Sequence, residues 1–267
     1  MTRLNPLPVR CYRWTRTCVH LMAGVATTMF VFPLVSDTRK RRLVKRWSAR
    51  LLRILKVQAR IDGELAAATG NVLVVANHIS WLDIFVLNAH HPVRFVAKAE
   101  LARWPVVSRM IRGAGTVFIE RGRRRDTHRV NQKMARVLAD GDVVAIFPEG
   151  TTTHGSDVLP FKSSLLQPIV EAEGHVQPVA IRYRAPDGTL SVAPAYVGET
   201  SFAESFWSVC GARSLTVDLI ATAALSARTG HRRSLARDAE ALIRTALAAP
   251  DVAKEPGSPA GRQDGFR

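Results

Sequence analysis

Cysteine is scarce. Cys11, Cys18 and Cys210 are the only three in 267 residues. They are odd in number, scattered and without CxxC spacing. This excludes a disulfide scaffold and a cysteine zinc site, and fits a reducing, cytosol-facing compartment. Acidic residues are scarce at one end. Residues 1–60 hold 14 Lys and Arg against a single acid, Asp37, whereas the other 207 residues hold 24 against 21. The net charge of +16 therefore belongs to the amino-terminal segment, and the body is nearly neutral. A nucleic-acid enzyme more often carries its basic charge around a binding groove, so no nucleic-acid partner is expected. P-loop, GxSxG, HExxH and complete dinucleotide motifs are all missing. That argues against ATP hydrolysis, serine-esterase chemistry, zinc proteolysis and NAD binding. What is present is an ordinary 47% of hydrophobic residues, enough for one or two globular domains.

The segment Thr17–Ser36 is 20 residues without Asp, Glu, Lys or Arg. As a helix it would be about 30 Å long, close to a bilayer core. His20, Gly24, Pro33 and several threonines temper its hydrophobicity, and no small-residue cleavage site precedes the basic run at Arg39–Arg42, which disfavours a signal peptide. From Leu43 to Val57, Leu43, Val44, Trp47, Leu51, Ile54 and Leu55 recur at helical spacing with basic residues opposite, the pattern of a helix lying in a lipid interface. Both flanks of the apolar run are basic, so orientation is not set by charge. A spanning helix and a pair of helices dipping into one leaflet both fit. The second is preferred because it keeps both basic flanks near anionic headgroups. A core helix beside a solvated basic helix is the alternative without a membrane.

From Asn71 onward, short β-rich runs alternate with helical patterns. Strands are expected at Val72–Ala76, Val93–Ala97, Thr116–Ile119, Val143–Phe147, Val176–Tyr183, Leu190–Tyr196 and Leu215–Ile220. Helices are expected at Leu82–Ala89, Glu100–Arg112, Thr127–Ala139, Lys162–Glu173 and His231–Ala248. The alternation predicts an α/β fold: a mixed, largely parallel sheet flanked by helices, with the amino-terminal membrane-associated helical segment in front. The expected organisation is membrane-associated helices over 1–60, a catalytic domain over 61–249 and a disordered tail over 250–267, rich in Pro, Gly and charge.

Four segments offer chemistry. Asn77-His78-Ile79-Ser80-Trp81-Leu82-Asp83 follows a buried strand and opens a helix. Ser80-x-x-Asp83 has the spacing of a capping box. On one continuous helix His78 and Asp83 would point about 140° apart. A strand-turn-helix brings them together, at the strand edge where α/β sheets bind ligands. A histidine with a carboxylate partner is a general base; a capping aspartate beside an unrelated loop histidine fits the spacing equally well. Gly115–Arg125 ends a strand in Arg121, Arg123, Arg124 and Arg125, an anion site or simply an exposed basic loop. Phe147–Gly155 places Glu149, Gly150, three threonines and His154 after another buried strand, with His154 read as a surface residue and Glu149 open also to a structural role as partner of a backbone group or an arginine. Pro178 interrupts an apolar strand and suggests a sheet edge or a pocket wall.

Taken in order, these residues resemble the lysophospholipid acyltransferases, the family of 1-acyl-glycerol-3-phosphate acyltransferase. Its N-H-x-S-x-x-D motif is present as Asn77, His78, Ser80 and Asp83. Its G-x-x-F-I-x-R motif is present as Gly115, Phe118, Ile119 and Arg121. Its F-P-E-G-T-x-S motif is present as Phe147, Pro148, Glu149, Gly150 and Thr151, and the fourth, apolar motif surrounds Pro178. Thr152 stands where the family often has Arg, Thr153 where Ser is common, and Ser108 where Gly is frequent. The segment Val158–Lys162 looks like the family's link to the next helix.

The resemblance implies a fold, an activity and roles. His78 would take the proton of a lysolipid hydroxyl and Asp83 would orient it. Arg121 would hold the acceptor phosphate, with Glu149, Gly150 and Thr151 shaping that subsite. The donor would be acyl-CoA or acyl carrier protein, the latter then a partner along with membrane lipids. No metal and no tightly bound cofactor is implied. The implied reaction acylates the sn-2 hydroxyl of 1-acyl-glycerol-3-phosphate to phosphatidic acid, with another lysolipid such as lyso-ornithine lipid as the alternative. The implied place is the inner membrane, catalytic domain facing the cytoplasm.

Overall fold

The computed structural model describes residues 4–65, 71–98, 117–119 and 124–249. An eight-stranded mixed sheet forms its centre, in the order β1-β7-β6-β2-β5-β3-β4, with β8 on β6. The strands are β1 Val57–Asp62, β2 Val72–Ala76, β3 Arg94–Lys98, β4 Val117–Ile119, β5 Val143–Ile146, β6 His175–Arg184, β7 Leu215–Ala221 and β8 Leu225–Ser226. The helices are α1 Leu7–Ala26, α2 Asp37–Ile54, α3 Leu82–His90, α4 Arg124–Ala139, α5 Gln167–Glu171, α6 Phe202–Gly211 and α7 Arg232–Ala248. Strands β2, β3, β4 and β5 pair in parallel, and β6 joins them in parallel through β2. The later strands β7 and β8 run antiparallel to β6.

Strand β2 is continuously apolar because it is buried on both faces. Val72, Val74 and Ala76 join Leu82, Val86, Ile181, Tyr183 and Val217 on one face. Leu73 and Val75 join Val144, Ile146, Met134, Leu138 and Ile243 on the other. Helices α2, α3 and α6 cover the first face; α4, α5 and α7 cover the second.

The amino-terminal hairpin is inside out for a soluble protein. The residues of α1 turned toward the protein are Arg13, Thr17, His20, Gly24 and Val25. Large apolar residues of α1 and the turns after it are left bare: Val19 is 64% exposed, Phe30 68% and Leu34 83%, with Tyr12, Met22 and Met29 also exposed. Polar groups inward and apolar groups outward is the arrangement of a helix in contact with lipid. The helical run Leu7–Leu34 is 28 residues long, sufficient to enter a bilayer. A five-residue π turn at Thr27–Val31 and a 3-10 turn at Phe32–Leu34 end it, and α2 returns. Two features dock the hairpin. Arg13 donates to the carbonyls of Cys210, Ala212 and Arg213, a cation at the carboxyl end of α6. His20 and Trp47 stack at 4.6 Å and exchange hydrogen bonds with each other's backbone carbonyl.

Several expectations are corrected. The apolar face of the Leu43–Val57 segment is not free for lipid along its length. Leu51, Leu52 and Leu55 lie in the protein core. The helix stops at Ile54, and Lys56, at φ 57°, turns the chain into β1. A boundary at Arg60/Ile61 cuts through β1. Leu190–Tyr196 is a loop with one bridge, Arg184 to Leu190; its later part turns to Ile79, whose carbonyl accepts from Tyr196 N at 3.0 Å. The Lys162–Glu173 helix is a 3-10 turn, Ser163–Leu166, followed by α5. Pro168 lacks an N–H and belongs in a first turn, so the α-helix begins there. Pro178 is on an interior strand. It sits where β6 leaves β8 and reaches β7; its carbonyl accepts from Thr222 N, and the Gln177 amide donates to Thr222 O in place of the missing N–H. The Glu100–Arg112 helix and the tail 250–267 lie outside the described residues.

Candidate active site

The parallel pairing of β2 with β5 and β6 decides which residues meet. Val75 is paired with Ile146 and Ala76 with Val179. The turns Asn77–Trp81 and Phe147–Gly150 therefore leave the sheet side by side, at the carboxyl edge where such sheets bind ligands. Strand β6 runs on past the end of β2. Asn77 follows it: Nδ2 donates to Ile181 O at 3.0 Å, and Ile181 N donates to Oδ1 at 2.7 Å. A side chain thus carries the β2–β6 ladder one residue beyond β2.

The chain then turns and α3 begins. His78 Nδ1 lies 2.8 Å from Asp83 Oδ2. Asp83 is 0% exposed, and a buried carboxylate must be satisfied. Its Oδ2 also accepts from Ile79 N at 2.8 Å and Ser80 N at 3.0 Å, while Oδ1 accepts from the Tyr183 hydroxyl at 2.8 Å. The expected capping box is altered. Asp83 does reach back to Ser80 N, but the Ser80 hydroxyl accepts from Leu82 N rather than Asp83 N. The carboxylate serves the turn and the imidazole at once.

An acceptor carboxylate at Nδ1 calls for the proton on that nitrogen, leaving Nε2 with its lone pair. The His78 side chain is 20% exposed. The Phe147 ring stacks on it at 3.9 Å and 8°. Thr153 N donates to His78 O at 2.8 Å. The histidine is held by ring, backbone and carboxylate, and among the described residues Nε2 has no hydrogen-bond partner.

Glu149 has the backbone partners that the structural reading of it expects. It is 2% exposed. Oε1 accepts from His78 N at 2.6 Å and Oε2 from Leu159 N at 2.8 Å. Burial raises its pKa, against the opposing pull of the Leu159 and His78 N–H groups. Both oxygens are engaged by backbone, so Glu149 ties the two turns together and sets the His78 backbone. Gly150, at φ +74°, adopts a left-handed turn that favours glycine. Thr151 is exposed beside it. Thr152 donates to Tyr196 O. Arg121 lies outside the described residues. His154 is exposed in its loop, as expected. Among the described residues no group of three or more His, Cys, Asp or Glu is arranged to hold a metal ion.

Tyr183 was not singled out in the sequence. Its hydroxyl is fully buried on Asp83, and burial and that carboxylate raise its pKa well above the usual value. The signal was there: Val179, Ile181 and Tyr183 share one face of an apolar strand, and a buried tyrosine hydroxyl requires a partner.

The family model described as Acyltransferase matches residues 58–182, a span containing His78, Asp83 and Glu149. The chain is 38% identical over 179 residues to a 1-acyl-sn-glycerol-3-phosphate acyltransferase of Neisseria meningitidis, covering 66% of this chain and 69% of that one. It is 36% identical over 208 residues to a lyso-ornithine lipid O-acyltransferase of Pseudomonas aeruginosa, covering 78% and 79%. The crystal structure of a 1-acyl-sn-glycerophosphate acyltransferase from Thermotoga maritima has the same fold. The TM-score is 0.69 over 90% of this chain and 94% of that one, at 22% identity. The chain belongs to the acyltransferase family that contains these lysolipid-acylating relatives.

Proposed function

We propose that this protein acylates the sn-2 hydroxyl of 1-acyl-glycerol-3-phosphate, forming phosphatidic acid. The observation that carries the reading is the His78–Asp83 pair at the carboxyl edge of the sheet, 2.8 Å apart, with no hydrogen-bond partner at Nε2 among the described residues. Nε2 takes the hydroxyl proton as the acceptor oxygen attacks the thioester carbonyl. Buried Asp83 stabilises the imidazolium that forms. The carbon–sulfur bond breaks, the imidazolium returns the proton to the departing thiolate, and an oxyester remains. No acyl-enzyme arises, and the chemistry requires no metal or cofactor.

Acyl-CoA or acyl carrier protein is the donor. The exposed apolar face of α1 keeps the enzyme where lysolipid and product reside, and the donor arrives from water. Both donors are cytosolic, so the catalytic domain faces the cytoplasm from the inner membrane.

The acceptor has one rival. The lyso-ornithine lipid relative aligns over more of this chain than the lysophosphatidic acid relative does. Purified enzyme, a labelled acyl thioester and both lysolipids separate the two. Turnover restricted to the phosphate-bearing acceptor supports the first reading, and turnover restricted to lyso-ornithine lipid replaces it.

A further inference from the structure

The Glu149–Thr153 turn carries no positive charge of its own, and each polar side chain except Thr151 is engaged in holding the fold. Glu149 bonds two backbone N–H groups, Thr152 bonds Tyr196 O, and Thr153 bonds the His78 carbonyl. One cation nevertheless lies on the turn. The Lys162 side chain folds over Gly150 so closely that a Cβ at Gly150 would collide with Nζ. The origin of that side chain is fixed on both sides. Lys162 N donates to Pro148 O at 3.0 Å, and Phe161 N donates to Glu240 Oε2 at 2.9 Å. Lys162 is exposed, and among the described residues its ammonium has no carboxylate within ion-pair distance.

We propose that Lys162 binds the phosphate of the acceptor lysolipid beside His78. The inference rests on the acyl-transfer reading and names a residue that supplies the headgroup charge. The chemistry of the acceptor requires such a group here. The reacting hydroxyl is on the glycerol carbon next to the one bearing the phosphate, so with the hydroxyl at His78 Nε2 the phosphate lies within a side chain's reach of the base. A dianionic phosphate near buried Asp83 and Glu149 needs a cation. An ammonium on a flexible stem, lying over the Gly150 backbone, meets that need as a point charge.

The test compares wild type, Lys162→Met and Lys162→Arg in steady-state acylation of lysophosphatidic acid. The methionine keeps the stem's bulk and removes the charge; the arginine restores it. The assignment predicts that Lys162→Met raises KM for lysophosphatidic acid about tenfold, equivalent to about 1.4 kcal/mol. KM for the acyl thioester should stay unchanged, kcat should fall less than about twofold, and Lys162→Arg should recover most of the loss. An unchanged KM for lysophosphatidic acid overturns the lysine and leaves the transfer mechanism standing. A fall in kcat with a lowered Tm and unaltered KM also overturns it, as the mark of a purely structural lysine. Wild-type enzyme inert on every phosphate-bearing lysolipid overturns the proposed acceptor and the lysine together.

Discussion

The imidazole of His78 is set by three carboxyl or hydroxyl groups that never need to touch substrate. Asp83 fixes the tautomer, Tyr183 completes the Asp83 bonding, and Glu149 holds the backbone of His78. Removing the Tyr183 hydroxyl leaves buried Oδ1 without its donor. Tyr183→Phe is therefore expected to lower kcat about tenfold with little change in either KM, together with a displaced pH–rate profile, measured by steady-state kinetics across pH. Unchanged kcat and an unmoved profile would leave Tyr183 a packing residue only. Glu149 gives a pH signature in stability. Its pKa is raised by burial, so the folded state holds that proton more tightly than the unfolded chain does. Its contribution is full below the ordinary glutamate range and is lost as pH rises through the raised value. Glu149→Gln lacks that loss, so the Tm advantage of wild type over the variant should shrink as pH rises through this window. A constant difference would contradict the assigned shift. At this scale the sequence was legible where spacing carried the meaning. His78 and Asp83 could be placed on one strand-turn-helix. Glu149 is legible as a carboxylate at a strand end, but nothing local announces that His78 N and Leu159 N, 71 and 10 residues away, occupy its oxygens.

Among the elements, those with regular local patterns were the readable ones. Strand β2 coincides with the Val72–Ala76 run, and α7 begins one residue after the expected His231. The missed elements had other signals. Helix α6 is announced by Ser201-x-x-Glu204, and both halves of that capping box form. Strand β1 is exposed after Val57 and pairs with β7, more than 150 residues later; no apolar run marks such an edge strand. Helix α2 has two uses that its sequence does not separate. Among the described residues its basic first half makes the i,i+3 pair Lys40–Asp37 and the reach of Arg41 to Asp142. Its last turns bury Leu51, Leu52 and Leu55 against α3 and the sheet. Leu51→Ala should therefore cost about 2–5 kcal/mol of stability, as a core deletion does, read by denaturant unfolding in detergent. A loss below about 0.5 kcal/mol, the range of surface substitutions, would mean that this turn belongs to lipid rather than to the core.

For the whole molecule, the amino-terminal hairpin is joined to the turn that bears His78 and Asp83 by a continuous run of rings. Trp14 packs on Phe206, Phe206 on Trp81, Trp81 on Phe85, and Phe85 on Trp47 of α2. Trp81 lies two residues before Asp83, so the amino-terminal hairpin and the turn bearing His78 share one packed wall. Charging the bare apolar side of the helical run Leu7–Leu34 should release the protein from the membrane without disturbing that wall. The double variant Val19→Glu, Phe30→Glu is expected to lose most of its vesicle binding in a sedimentation assay while keeping the wild-type circular dichroism spectrum. Full retention on vesicles would place the lipid contact elsewhere. The central claim is that His78 is the base of an acyl transfer, and the turnover of lysolipid by His78→Ala tests it most directly. With wild-type folding and vesicle binding verified, the variant should acylate lysophosphatidic acid about 10²–10⁴-fold more slowly than wild type. Acylation at the wild-type rate would contradict the mechanism.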